Sequence, residues 1–170
     1  MTSEYSERLG SRDVSAKPVR TLSLDETDLA IVRELARDAR LPNNTLAARV
    51  GIAPSTCLGR VRALRERGVI RGYHADVDQA AFGRPLQAMI AVRLQSNARG
   101  HIRTFVRSVA RLPEVLNVFF LAGKDDFLLH VAASSTGHLR EFVEELSSNA
   151  DVAYTETSLI FEHIRADAAG

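Results

Sequence analysis

The sequence predicts an α+β protein made of two units: a three-helix unit of helix-turn-helix type in the first half and a ferredoxin-like βαββαβ unit in the second. Three observations carry this. Three short amphipathic periods lie between residues 24 and 68, the last two joined by a turn of about three residues that contains a glycine. From Leu86 onward, strict apolar–polar alternation gives way to helix, strand, strand, helix and strand signals in turn. Charge is divided as well: residues 1–75 hold 13 basic and 9 acidic side chains, residues 76–170 hold 9 and 12. An anionic partner is therefore expected at the N-terminal half.

Composition narrows the class. The chain has 170 residues, 45% hydrophobic and 25% charged, which suffices for a packed core in one or two small domains. Its single cysteine forms no intramolecular bridge, and no Cys/His cluster has zinc-ligand spacing. No run of 18 apolar residues exists, and Glu4, Glu7 and Asp13 stand where a secretory signal needs basic and apolar stretches. A cytoplasmic protein without membrane partner, metal or cofactor is expected.

Residues 1–21, rich in Ser and scattered charge, are expected to form a tail. Asp25, with Asp28 three residues on, resembles a capping box for a first helix whose face is Ile31, Val32 and Leu35, running to about Asp38. Pro42 interrupts; Asn43 or Asn44 is the expected cap of a second helix with Leu46, Ala47 and Val50 inward, and Gly51 stops it. Pro54 suits the first position of a third helix, with Cys57, Leu58, Val61 and Leu64 on its apolar side and Gly68 as terminator. The opposite face presents Ser55, Thr56, Gly59, Arg62 and Ala63, flanked by Arg60 and Arg67. Arg60, Arg62, Arg65, Arg67 and Arg71 against Glu66 make this stretch strongly basic, as phosphate contact and groove entry require. Arginine also supplies the fork that reads guanine.

Residues 69–77 read as an extended strand leaving this unit. Leu86, Ala88, Ile90, Val92 and Leu94 then alternate with polar or small residues as a half-buried strand. Ile102, Phe105, Val106 and Val109 recur at helical spacing; Pro113 breaks it; residues 115–122 and 127–133 read as strands joined through Gly123, Lys124, Asp125 and Asp126. Ser134, Ser135 or Thr136 is the expected cap of a helix with Leu139, Phe142, Val143 and Leu146 inward, followed by a strand over residues 152–163. Val118, Phe120, Phe127, Leu129 and Val131 exceed what two helices are expected to cover, so apolar sheet surface is left for a second copy.

The stretches Leu24-Asp25-Glu26-Thr27-Asp28, Leu46-Ala47-Ala48-Arg49-Val50-Gly51-Ile52, Arg60-Val61-Arg62-Ala63-Leu64, Gly68-Val69-Ile70-Arg71-Gly72-Tyr73, Ala122-Gly123-Lys124-Asp125-Asp126-Phe127 and Thr155-Glu156-Thr157 appear in this order. With them the chain, from Leu24 to about Ile164, resembles the Lrp/AsnC (leucine-responsive, feast/famine) family of prokaryotic transcriptional regulators. The resemblance implies a winged helix-turn-helix domain over 22–72, a linker strand over 73–84, a ferredoxin-like ligand-binding and oligomerisation domain over 85–164, and a tail at 165–170. It implies double-stranded DNA as partner, homodimers assembling into tetramers or octamers, and residence at a bacterial or archaeal nucleoid. Implied DNA-binding residues are Asn43, Asn44, Ser55, Thr56, Gly59, Arg60, Arg62 and Arg71. An amino-acid effector is implied at Ala122, Gly123, Asp125 and Asp126, with Ser135, Thr136 and Thr155.

Departures from the family pattern are Ala53 before the third helix, where a capping hydroxyl is common and its loss costs about 0.5–2 kcal/mol, together with Ala122, Lys124-Asp125 and Asp151. Cys57 reads as a small buried residue. The histidines at 74, 101, 130, 138 and 163 show no metal spacing, and no phosphate loop or nucleophile motif occurs, so no enzyme is expected. The alternative function is a nucleoid-associated architectural protein with little sequence preference.

Overall fold

The computed structural model describes residues 23–164, in two compact units that divide between His74 and Ala75. The tails expected at 1–21 and 165–170 lie outside the described residues.

In the first unit, α1 (Glu26–Arg37), α2 (Asn43–Arg49) and α3 (Pro54–Glu66) enclose Ile31, Leu46, Ala47, Cys57 and Leu64. Asp25 caps α1, its Oδ1 accepting the amide of Asp28 at 2.7 Å. Only this half of the expected capping box forms, because the Asp28 carboxylate turns toward α3. The cap of α2 is Pro42, with no side-chain bond. Asn43 sits inside the first turn, and its Nδ2 donates to the Pro54 carbonyl at 2.9 Å, tying the start of α2 to the start of α3. Ala53 likewise caps α3 without a side-chain bond.

Both helix stops use glycine for a conformational reason. Gly51 has φ 71° and Gly68 φ 72°. After α2, the amides of Gly51 and Ile52 reach back to the carbonyls of Ala48 and Ala47; after α3, those of Gly68 and Val69 reach Arg65 and Leu64. Each is a Schellman closure, which satisfies the last carbonyls and needs a left-handed residue. The first of them ends α2 at the turn that leads into α3. Residues 69–77, expected as a strand, pair with no strand among the described residues, since an extended segment becomes a strand only when another backbone meets its hydrogen bonds.

The second unit is a four-stranded antiparallel sheet in the order β2-β3-β1-β4, built from β1 (Leu86–Leu94), β2 (Val115–Phe120), β3 (Phe127–Ala133) and β4 (Val152–Ile160). Helices α4 (Ile102–Val109) and α5 (Thr136–Ser148) pack through Phe105, Val109, Leu139, Phe142 and Leu146 on one face, against Ala88, Ile90, Val92, Phe127, Leu129 and Val131. This is the expected βαββαβ fold. β2 and β4 end two and three residues sooner than the sequence suggests, since the amide of Leu121 already closes a turn onto the Asp126 carbonyl at 2.9 Å and no ladder partner follows Ile160.

The helices cover more than expected. Phe127, Leu129 and Val131 are buried beneath them, whereas Phe120, at the edge strand, stays 67% exposed. The uncovered sheet face is carried by the opposite phase: Met89 and Ala91 on β1, Phe119 on β2, Leu128 and His130 on β3, Tyr154, Glu156 and Ser158 on β4.

Gly51→Ala introduces a Cβ that meets no atom within 4 Å but forces an L-residue into the left-handed region. Urea unfolding should show a loss of about 1–2 kcal/mol; an unchanged midpoint would contradict the Schellman account.

Candidate functional site

On α3, successive residues advance by 100°, so the buried side of Cys57, Val61 and Leu64 leaves Ser55, Gly59 and Arg62 at the centre of the outward face, and all three are exposed. Thr56 and Ala63 widen that face on one side. Leu58, expected in the apolar stripe, lies about 100° from Cys57 and is 43% exposed. It stands beside Arg62 as an apolar group able to meet a thymine methyl. Sequence reasoning missed it by grouping two consecutive residues on one helical side.

Gly59 has no fold-related reason to be glycine: a Cβ there meets nothing within 4 Å, and its φ is not positive. A glycine in a helix interior costs about 0.8–1.0 kcal/mol relative to alanine. What it offers is close approach by something outside the chain.

The other flank of α3 is committed inward. Arg60 Nη1 lies 2.6 Å from Asp25 Oδ2 and 2.8 Å from Asp28 Oδ1. Arg67 Nη1 is 3.6 Å from Asp28 Oδ2, and its Nη2 donates to the Ser23 carbonyl at 2.7 Å. Asp28 is only 7% exposed, so its charge is offset by two guanidinium groups from the facing helix. The Asp28 amide, then Arg60, hold the Asp25 carboxyl below its ordinary range, and Asp25 and Asp28 push Arg60 further up. Arg60, expected to contact DNA, therefore has its guanidinium tied to the α1 carboxylates and acts on the position of α3.

Arg62, Arg65 and Arg71, with Glu66 and Ile70, line an open depression at the C-terminal end of α3, and the Arg65 guanidinium stands 5.9 Å from the Tyr73 ring centre. Arg65 joins the candidate set here. Asn44 is exposed at the start of α2, whereas Asn43 is occupied by Pro54.

In the second unit, Ala122, Gly123, Asp125 and Asp126 share one turn. Both carboxylates already have partners: Asp125 Oδ1 accepts from Arg93 Nη2 at 3.1 Å, and Asp126 Oδ2 from the Leu94 amide at 2.8 Å. Arg93 also donates Nε to the Lys124 carbonyl at 3.0 Å and stands 5.6 Å from the Tyr154 ring centre. Arg93 and Tyr154 belong to the turn's surroundings, a long-range pairing that sequence alone does not reveal.

Ser135 and Thr136 are not brought to this turn. They follow β3, whose first residue adjoins the turn, so about 20 Å of strand separates them. The Ser135 hydroxyl accepts the His138 amide at 3.1 Å as the cap of α5. Thr155 pairs opposite Val92, at the turn's end of the sheet but on the helix-covered face, its hydroxyl 2.9 Å from Ser147 Oγ.

His130, on the uncovered face, is hydrogen-bonded with Gln87 Oε1 at 2.9 Å and Asn117 Nδ2 at 3.3 Å, with the His163 ring 6.4 Å away. Burial, then His163, pulls its pKa down. Burial likewise raises the Cys57 thiol, consistent with an inert core residue. Among the described residues, no group of three or more His, Cys, Asp or Glu side chains is placed to hold a metal ion, and no helix is long and apolar enough to cross a membrane.

Comparison with known proteins gives this geometry its context. Residues 24–71 match the model of a winged helix-turn-helix DNA-binding domain, and residues 87–169 that of the Lrp/AsnC ligand binding domain. The HTH-type transcriptional regulator AldR of Mycobacterium tuberculosis is 57% identical over 97% of this chain and 93% of its own. The chain belongs to the Lrp/AsnC family of transcriptional regulators. The crystal structure of MtbAldR superposes with a TM-score of 0.69 at 56% identity, covering 84% of this chain and 98% of that one. A Neisseria meningitidis transcriptional regulator, solved as its L-Met complex, gives a TM-score of 0.78 at 32% identity, covering 86% and 96%. This Lrp/AsnC member thus carries the family's DNA-binding and ligand-binding units in order, and a Rhizobium meliloti relative, 37% identical over 85% of this chain and 93% of its own, is likewise named a leucine-responsive regulatory protein.

Asp28→Ala leaves Arg60 and Arg67 without their shared partner, and urea unfolding should show a loss of about 1–3 kcal/mol. Because the Asp25 carboxyl is depressed in the folded chain, its contribution is complete at neutral pH and disappears as pH falls through and below the ordinary carboxylate range. Asp25→Asn should flatten that acid-side slope of stability; an identical slope would contradict the linkage.

Proposed function

We propose that this chain is an oligomeric, sequence-specific transcriptional regulator whose α3 reads the major groove and whose second unit responds to an amino acid. The observation that carries the DNA reading is the outward face of α3: small, polar and basic, with an interior glycine that packing does not require. Ser55, Thr56, Gly59 and Arg62 meet base edges and adjacent phosphates, with Leu58 beside them. Arg65, Arg71 and Asn44 meet the backbone, Asn43 fixes the start of α3, and Arg60 orients the helix through Asp25 and Asp28.

One such helix offers little contact area, so specific binding calls for a dimer reading two half-sites about one helical turn apart. The uncovered sheet face with Met89, Phe119, Leu128 and Tyr154 is the self-association surface in this reading, extended by Phe161, which is 98% exposed. Higher assembly to tetramers or octamers follows the family pattern. Double-stranded DNA as partner makes the cytoplasm, at the nucleoid, the place of action.

The effector site is proposed at Ala122, Gly123, Asp125 and Asp126, without Ser135 and Thr136. An amino acid carries both groups that suit the Arg93–Asp125 pair: a carboxylate for the guanidinium and an ammonium for the carboxylate. The L-Met complex of the Neisseria relative supports an amino acid as the ligand class. No cofactor or catalytic role enters this reading.

Arg62→Ala should lower affinity for DNA from upstream of the chain's own gene by about 10–100-fold while circular dichroism stays unchanged. Fluorescence anisotropy against scrambled competitor measures it. Adding a pool of the twenty amino acids should shift the wild-type curve, and Asp125→Asn should blunt the shift. Equal binding to both DNAs, unmoved by the pool, would support the architectural alternative instead.

A further inference from the structure

We propose that the outer flank of α4 is a second contact surface for the DNA phosphate backbone, formed by Arg103, Arg107 and Arg111. It rests on the reading of this chain as a DNA-binding protein and extends it to the unit that the family model describes by its small ligand. Arg103 and Arg107 lie one turn apart on α4, about 6 Å along its axis, and Arg111 follows in the turn beyond. Phe105 and Val109 supply the buried side of that helix, so none of the three arginines is needed for packing. All three are exposed, and none has a side-chain hydrogen bond or ion pair among the described residues.

That state is unusual within the unit. Arg84 is bonded to Gln79 and the Pro113 carbonyl, Arg93 to Asp125 and the Lys124 carbonyl, and Arg140 to Glu144. The charge is also segregated. Residues 95–113 hold four arginines and no acidic residue, in a half of the chain whose net charge is −3. The neighbouring α5 carries Glu141, Glu144 and Glu145. A face that only needs solvation mixes both signs along the helix and gains from i,i+4 pairs. Here like charges repeat at that spacing, which costs helix stability, and Arg103 stands in the first turn, where the helix dipole disfavours a cation.

A line of guanidinium groups with no side-chain partner among the described residues fits a line of phosphates outside it. The planar fork bonds phosphate oxygens in pairs, and a contact of this kind carries no base preference. Double-stranded DNA is the polyanion that the other unit brings to the molecule. The surface would then engage duplex that runs beyond the footprint of α3, making affinity depend on DNA length.

The test uses the full chain and two duplexes from upstream of its own gene, one of about two helical turns and one of about ten. Anisotropy titrations are run across a salt series. With Arg103, Arg107 and Arg111 all changed to Gln, affinity for the long duplex should fall about tenfold or more, and its log–log salt slope should become shallower by about 3 per engaged protomer. Binding to the short duplex should be unaltered, and the corresponding triple Lys variant should keep the long-duplex affinity. If wild type binds both duplexes and the Gln variant matches it on each, the inference is overturned and the stripe faces another partner, such as an acidic protein. If wild type binds neither duplex, the DNA reading itself fails and takes this inference with it.

Discussion

The arrangement of the first unit depends on one nearly buried carboxylate. Asp28 faces α3 from α1, accepts Arg60 at 2.8 Å and lies 3.6 Å from Arg67. Burying a carboxylate is costly unless charge and hydrogen bonds compensate it, so the low-energy arrangement is the one in which that flank of α3 faces α1. Once that flank is fixed, the helical period decides the rest: Cys57 and Leu64 go to the core, and Ser55, Gly59 and Arg62 point to solvent. The two Schellman closures at Gly51 and Gly68 set where α2 and α3 stop, and Asn43 pins their junction. The direction of the outward face is thus set, and Ser55, Thr56 and Arg62 have no side-chain hydrogen bond or ion pair among the described residues, which leaves them available for groove recognition.

The second unit follows a parallel logic with a sheet. Period-two alternation on β1 sends Ala88, Ile90, Val92 and Leu94 under the helices, so Met89, Ala91 and Arg93 necessarily occupy the other side. Among the described residues no helix of this unit packs on that side, and the aromatic residues Phe119 and Tyr154 stand on it. The turn at residues 121–126 is braced at both ends, by the Asp126 carboxylate on the Leu94 amide and by Arg93 on Asp125. A ligand that competes for the Arg93–Asp125 pair would act next to the uncovered face, which gives a physical route from effector to assembly.

Elements defined by local pattern were legible in the sequence. Asp25 and Ser135 cap their helices as expected, the alternation of β1 names its buried residues, and the glycine stops are where they should be. Misreadings arose where distant residues decide. Arg60 has the look of a DNA contact until partners 35 and 32 positions away occupy it. Asn43 reads as a cap until Pro54, 11 residues on, takes its amide. Ser135 and Thr136 are near the turn in sequence, yet a full strand lies between them. Residues 69–77 have strand composition, but pairing is a property of two segments, not one. Leu58 was a different failure, one of phase on a helix whose apolar side is narrow.

The central claim is that the outward face of α3 is shaped for DNA and not for the fold, and Gly59 separates the two demands most cleanly. Replacing Gly59 by Ala in the full chain, one would measure both the urea unfolding midpoint and the affinity for DNA from upstream of its own gene. The account predicts opposite changes: stability rises by about 1 kcal/mol, as expected for alanine in an open helix position, while specific affinity falls because the added Cβ blocks close approach. An increase in stability with affinity unaltered would contradict the claim.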